Sequence, residues 1–250
     1  MNKYIRENII LKKVKGYILR QLVTPGVLGI WIDPFYFAQR ELYLQMVAMA
    51  PKIEGRILDV GCGSKPYRKL FPPGENYIGL EFDTPESRAA NYADYFYNGN
   101  AFPFVASSFD GVICNQVLEH VFNPDQFLQE IFRVLKPGGK LLLSVPFVWD
   151  EHLQPMDYAR YSSFGLRSLM ERHGFDVMEA HKMNAGVQAI FQMINCYLHK
   201  VLFTRNWKIN VFLCAIFVAP FTLLGIVLSK LLPANPDLFL NQIILVEKKA

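Results

Sequence analysis

The stretch from Glu151 to Tyr161, EHLQPMDYARY, concentrates side chains that move protons and hold charge. His152 could deprotonate a substrate hydroxyl, Asp157 could orient or charge-stabilise it, and Arg160 could hold an anionic group. A plainer reading of the same residues is a loop pinned by Asp157 pairing with Arg160. Upstream, Arg56 to Tyr67, RILDVGCGSKPY, suits a different task. Gly61 and Gly63 let backbone approach a ligand with no Cβ in the way, and a helix opening at Pro66 would offer unpaired N–H groups at its start. Such a turn can cradle a nucleotide-like cofactor, although a glycine turn after a strand can also be a simple connection.

The elements that must position these residues follow from hydrophobic pattern. Ile57, Leu58 and Val60 around Asp59 read as a buried strand running into the glycine turn. Tyr77 to Phe82 reads as a second strand, and Glu81 near its end stands about twenty residues beyond the turn, where an open α/β sheet places the acid that binds a ribose. Asp83 is either a helix N-cap or a solvated loop acid, since Thr84 and Pro85 follow it. Lys65 to Leu70 is expected to be the first core helix. Tyr92 to Tyr97 is a weak third strand with Asp94 in a loop or at its edge. Phe109 to Cys114 is a fourth strand leading to Asn115, Glu119 and His120. Carboxyl ends of parallel strands frame the ligand crevice, so His120 either faces the substrate or caps the next helix. Asn123-Pro-Asp125 starts a helix with the apolar face Phe127, Leu128, Ile131, Val134 and Leu135. Lys136-Pro-Gly-Gly139 turns the chain into a fifth strand over 140–146, which the polar 151–161 loop follows. Phe175 to Glu179 and Leu240 to Lys248 complete the set.

In order and spacing, five of these stretches resemble the class I S-adenosylmethionine-dependent methyltransferases: Asp59-Val-Gly-Cys-Gly63 with Glu81, Gly99-Asn-Ala-Phe-Pro-Phe104, Ser108-Phe-Asp110, Val117-Leu-Glu-His-Val121 and Arg133-Val-Leu-Lys-Pro-Gly-Gly139. The resemblance runs from about Ile53 to Val177 and resumes near Asn241. It implies an α/β, Rossmann-like seven-stranded methyltransferase sheet with helices on both faces. It also implies S-adenosylmethionine as cofactor, held by Asp59, Gly61, Cys62, Gly63, Glu81, Asn100, Ala101 and Asn115. The chain departs from the family at Lys65, where many members carry a third glycine, and at Asn100, where many carry an aspartate against the adenine. Asn100 can still accept from an adenine amino group. The 151–161 loop falls where the family places its substrate loop, and similar clusters recur in relatives that resemble surface-glycan methyltransferases. With a reactive sulfonium supplied, the protein contributes mainly position and exclusion of water, and a base matters only for a hydroxyl or a poorly acidic carbon.

At 250 residues the chain has room for one α/β core and about fifty residues more. Apolar residues make up 52%, high for a soluble enzyme, and the net charge of +4 does not call for a nucleic-acid partner. Cys62, Cys114, Cys196 and Cys214 lack metal-type spacing and read as reduced core thiols, and no metal-ligand set is read from the sequence. Met1 to Val23 reads as a basic amphipathic helix, either lying on anionic head groups or an ordinary surface helix; it lacks the pattern of a signal peptide. Phe35 to Ala50 is a second helix that in this family would cover the cofactor site, with Tyr36, Arg40 and Tyr43 more suited to packing than to a ligand.

About sixty residues separate the sixth and seventh strands, which this family normally joins by a short hairpin. Within them, Ile209 to Ser229 has no charged residue and is long enough to cross a bilayer. One crossing would strand the last strand on the far side. Ala185 to Leu202, with Gln188, Gln192, Asn195 and His199 at helical spacing, supplies a partner helix. The expectation is an apolar helical hairpin inserted before the last strand. Arg205 and Lys208 in its connection oppose export, and Pro220 and Gly225 permit a bend, which favours a monotopic or re-entrant anchor at the cytoplasmic face over two full crossings. A soluble helical cap or dimer interface is the plainer alternative. The expected division is a 1–52 helical segment, a 53–184 and 236–250 core, and a 185–235 hairpin. The expected activity is methylation of a lipid-linked or membrane-resident acceptor. The alternatives are an isoprenoid quinone precursor, or a non-catalytic cofactor-binding subunit recruited to the membrane surface.

Overall fold

A computed structural model of the chain describes residues 16–18, 20–72 and 76–249. The expected basic helix lies outside the described residues except for its last turns. The strands are β1 (Ile57–Val60), β2 (Tyr77–Phe82), β3 (Tyr95–Tyr97), β4 (Phe109–Asn115), β5 (Leu135–Pro146), β6 (Phe175–Met183) and β7 (Asn241–Lys248). The helices are α1 (Gly29–Ile32), α2 (Tyr36–Met49), α3 (Pro85–Ala90), α4 (Pro124–Val134), α5 (Ser163–Arg172), α6 (Val187–Leu202) and α7 (Trp207–Leu231).

The residues form two compact units. One comprises Gln45–Met183 and the chain from Leu240 onward; the other comprises the described residues up to Leu44 with Asn184–Phe239. α1 and α2 as far as Leu44, expected within a segment of their own, fall in the unit of the inserted helices, and the last turn of α2 falls in the other.

The larger unit is built on a seven-stranded sheet in the order β3-β2-β1-β4-β5-β7-β6. β1 to β5 pair in parallel, and β7 runs antiparallel to both β5 and β6. The central strands are mostly apolar on both sides because both of their faces are covered, and every residue of β1, Asp59 included, is buried. α4 shows how one covering helix is specified. Asn123 caps it by accepting from the Gln126 N–H at 3.3 Å, Pro124 fits its first turn, and Phe127, Leu128, Ile131 and Val134 bury its inner face. Each such side chain contributes about 1.5–3 kcal/mol on burial, so Ile131→Ala would cost about 2–5 kcal/mol.

The structure corrects the expected core helix over 65–70. Only Arg68–Leu70 form a single 3-10 turn. Pro66 and Pro72 bracket too few residues to nucleate an α-helix, and Phe71 is already extended ahead of Pro72 (φ −113°, ψ 156°). β6 runs four residues beyond the expected end at Glu179, pairing as far as Met183 with Asn241. Both ends of the insert therefore leave the sheet at one point, where the Leu240 N–H donates to the Met183 carbonyl at 3.1 Å.

In the smaller unit α6 and α7 run antiparallel: Gln188 meets Ser229 at 3.5 Å, and Asn195 donates to Thr222 at 2.9 Å. α7 contains one wide π turn at Cys214–Val218, just ahead of Pro220, whose ring excludes regular bonding to the preceding turn. Gly225 admits Phe191, since a Cβ there would stand 2.9 Å from that side chain. The polarity of this unit is inverted relative to a soluble fold. Gln192, Asn195 and Thr222 are fully buried, while Tyr197, Val201, Phe212, Leu224, Val227 and Leu231 are exposed. Only 28% of the most apolar window of α7 is buried.

Candidate functional site

The glycine turn that follows β1 is open on the side a ligand would approach. Gly61 and Gly63 have φ of +68° and +47°, values costly for any residue with a Cβ, and a Cβ at Gly63 would meet nothing within 4 Å. The Gly63 N–H donates to Glu81 Oε2 at 2.7 Å, so turn and carboxylate are already registered to each other at the ends of β1 and β2. Below them Asp59 is buried and accepts from the Tyr77 hydroxyl at 2.6 Å. Burial pushes the Asp59 carboxyl up to about 7, against the lowering effect of the Tyr77 bond. Cys62 is buried, and burial pushes its thiol up to about 12, which makes it an inert packing group.

Lys65 fills the position of the missing third glycine in the left-handed region, φ 55°, and reaches Asp94 at 2.6 Å. Asp94 also accepts from the Gly79 N–H at 2.7 Å. This brace was not read from the sequence; the aspartate and the absence of a side chain at Gly79 were its only signals. Asn100 and Ala101 lie exposed in the loop between β3 and β4. That loop is held from behind by Arg133, which donates to the Phe104 carbonyl at 2.7 Å, and by Glu130, which accepts from the Phe102 N–H at 2.6 Å. Asn115, at the end of β4, accepts from the Ser144 hydroxyl. Asp83 is not the N-cap, since Thr84 caps α3; it is the solvated loop acid of the other reading, paired with Arg88 at the surface.

The proton-handling residues come together at the ends of β4 and β5. Glu119 and His120 lie on a 3-10 turn, Leu118–His120, and the carbonyl of Glu119 accepts the Tyr158 N–H at 2.8 Å, tying the 151–161 loop to that turn. The His120 and His152 rings meet edge to face with centroids 4.7 Å apart. His120 does not cap the following helix, which Asn123 caps. Burial lowers the His120 pKa, favouring its neutral form, and pushes the Glu119 carboxyl up to about 8. Asp157 takes both ends of the Arg160 guanidinium, at 2.6 and 2.7 Å, and accepts from the His152 N–H at 3.0 Å. Arg160 therefore spends its fork on Asp157 rather than on an external anion, and it holds that carboxyl far below the ordinary range.

A seven-stranded sheet with a single antiparallel strand and a glycine turn registered to an acid at the end of β2 are the arrangement that the sequence resemblance implies. Residues 58–143 match the family model described as a methyltransferase domain, and the cofactor that goes with this match is S-adenosylmethionine. The open turn at Gly63 and the carboxylate of Glu81 fit that cofactor, whose sulfonium supplies an electrophilic methyl group when bound. The chain is 32% identical over 162 residues to a Mycolicibacterium smegmatis protein named "Probable S-adenosylmethionine-dependent methyltransferase", covering 60% of this chain and 62% of that one. It is 32% identical over 132 residues to a thiol S-methyltransferase of Rattus norvegicus, covering 47% of this chain and 51% of that one. The chain thus spans less than two thirds of the length of these relatives. Among solved structures, Haemonchus contortus phosphoethanolamine N-methyltransferase 2 aligns with a TM-score of 0.54 at 17% identity, over 93% of this chain and 57% of that one. The [4+2]-cyclase SpnF aligns with a TM-score of 0.52 at 16% identity, over 82% and 81%. These likenesses concern the fold, which hosts more than one chemistry.

Proposed function

We propose that the chain is a methyltransferase for a membrane-resident acceptor, a polyprenyl-linked glycan or a lipid with a polar head, which it methylates on oxygen from the cytoplasmic face. The observation that carries this reading is the inverted polarity of the inserted hairpin. In water, burying Gln192, Asn195 and Thr222 while exposing Phe212, Leu224 and Val227 would be costly on both counts. Against hydrocarbon, the exposed apolar side chains lose nothing, and the polar ones are kept between the helices, where Gln192 donates to the Pro34 carbonyl and Asn195 to Thr222. Since the insert begins and ends on neighbouring strands, a monotopic or re-entrant hairpin leaves the sheet intact on one side of the membrane. Arg205 and Lys208, in or next to the connection between α6 and α7, favour a shallow seat near anionic head groups. For an oxygen acceptor, His152 is the base, oriented by Asp157, whose Oδ2 lies 3.3 Å from His152 Nδ1.

The test is transfer of labelled methyl from S-adenosylmethionine into detergent-extracted membranes, followed by separation of lipid-linked from water-soluble products. Label in a lipid fraction that releases a methylated sugar or head group supports the reading. Label in a quinone replaces the acceptor class. Label confined to soluble thiols or other soluble molecules overturns the link between hairpin and substrate. Cofactor binding with no transfer would leave a non-catalytic membrane subunit.

A further inference from the structure

Glu119 is fully buried, and neither of its carboxylate oxygens has a hydrogen-bond partner among the described residues. Buried polar atoms almost always have partners, so an orphaned carboxylate facing a site points to a missing ligand. Its neighbours narrow the ligand's chemistry. One donor atom from each of Glu119, His120 and His152 lies within 4.8 Å of the others, and His120 Nε2 stands 3.8 Å from Glu119 Oε1, too far for a hydrogen bond. The Met156 carbonyl can only accept, so the 2.5 Å contact places the hydrogen of His120 on Nδ1. That leaves Nε2 with its lone pair beside Glu119. His152 Nδ1 likewise lies 3.3 Å from two acceptors, the Asp150 carbonyl and Asp157 Oδ2. Two imidazoles, each anchored through Nδ1 by an oxygen, beside an unpartnered carboxylate make up the donor set and outer support of a metal centre.

We propose that Glu119, His120 and His152 bind a divalent transition-metal ion, with Zn²⁺ the best match to two imidazoles and one carboxylate, and with a coordination position left open. Ion-to-ligand lengths of about 2.0–2.2 Å in a tetrahedral site set donor atoms about 3.4 Å apart. The three side chains must therefore close by about an ångström, a movement within reach of His152 on its irregular loop. The open position would take an oxygen of the acceptor; with the ion bound, His152 would hold the ion rather than act as the base, and the ion would lower that hydroxyl's pKa so that water takes the proton. That last assignment rests on the methyltransferase reading, whereas metal binding does not.

Full-length protein in detergent, stripped with a chelator, would be titrated with Co²⁺ and followed by visible ligand-field absorption. The expected result is one saturable equivalent with a band that Zn²⁺ abolishes. Glu119→Gln, His120→Asn and His152→Asn should each weaken binding on the order of 100-fold. Calorimetric binding of S-adenosylmethionine, expected to stay within about twofold, checks that each variant is folded. If the buried Glu119→Gln variant does not fold, His152→Asn carries the test, because His152 lies on a partly exposed loop. No saturable Co²⁺ binding by the native chain, or binding unchanged in the folded variants, overturns the proposal. Co²⁺ binding without methyl transfer would instead count against the functional reading alone.

Discussion

Asp157 and Arg160 form a two-pronged ion pair, Nη1 to Oδ1 at 2.6 Å and Nη2 to Oδ2 at 2.7 Å, with the Asp157 side chain only 4% exposed. The same carboxylate receives the backbone N–H of His152. The pair is therefore the brace that holds His152 beside His120, and Arg160 acts through it.

Arg160→Lys should reveal that role. A lysine is a point donor and cannot reproduce the fork, so the loop should loosen although the charge is kept. Methyl transfer is expected to fall about tenfold or more, with cofactor affinity unchanged in calorimetry. Full activity in Arg160→Lys would remove the brace from the account. Acid stability gives a second readout. Asp157 has a depressed pKa in the folded chain, so its stabilisation is present above about pH 4, the ordinary aspartate value, and is lost as the pH falls through the folded one. Asp157→Asn should lose that acid sensitivity.

Gly79 exists to let Lys65 pass. A Cβ there would stand 2.3 Å from Lys65 Cε and 2.8 Å from Cys62 Sγ. Gly79→Ala should push Lys65 off Asp94, disturb the glycine turn, and weaken S-adenosylmethionine binding about tenfold, or about 1.4 kcal/mol. Unchanged affinity in the folded variant would show that the Lys65 brace does not shape the cofactor cradle.

Asp59 sets a pH dependence of opposite sign to that of Asp157. Its carboxyl is raised to about 7 by burial, so between about pH 4 and 7 the folded chain keeps a proton that the unfolded chain has lost. Its contribution is complete below about pH 4 and lost as the pH rises through 7, with a slope of up to about 1.4 kcal/mol per pH unit. Denaturant titrations of the cofactor-free protein across that range should show the decline. Asp59→Asn keeps an oxygen for the Tyr77 hydroxyl and should make the decline shallower, with Asp33 and Glu119, also raised by burial, supplying what remains; an equal slope in the variant would place the titrating group elsewhere.

The hairpin makes separable predictions for its two faces. Phe212→Asp with Leu224→Asp places charges on exposed positions, each costing about 2.5–3.5 kcal/mol in hydrocarbon, and should release the protein from anionic vesicles in flotation. Thr222→Val instead leaves the buried amide of Asn195 without its 2.9 Å acceptor, so it should lower thermal stability by about 1–3 kcal/mol while flotation persists. Flotation of the doubly charged variant at the native level would exclude a lipid-facing role for α7.

Local pattern by itself determined the individual strands, the glycine turn, an acid at the end of the second strand, the capped helix α4 and the existence of an apolar insert, while the seven-stranded sheet was what the family resemblance implied. Buried parallel strands and amphipathic helices write their periodicity directly into neighbouring residues, and a turn that needs left-handed backbone announces itself through glycine. The expected helix over 65–70 failed where two prolines outweighed the family pattern. Only the tertiary structure decided what depended on residues far apart in the chain. It joined the first described helices to the insert, turned the polar stripe of α6 inward onto Thr222, and gave Lys65 a partner in Asp94. It also paired Arg160 with Asp157 and brought Glu119, without a hydrogen-bond partner among the described residues, next to two histidines. The physical reason is that a charge or a donor is defined by its partner and its burial, and both are properties of the fold rather than of the segment that carries the side chain.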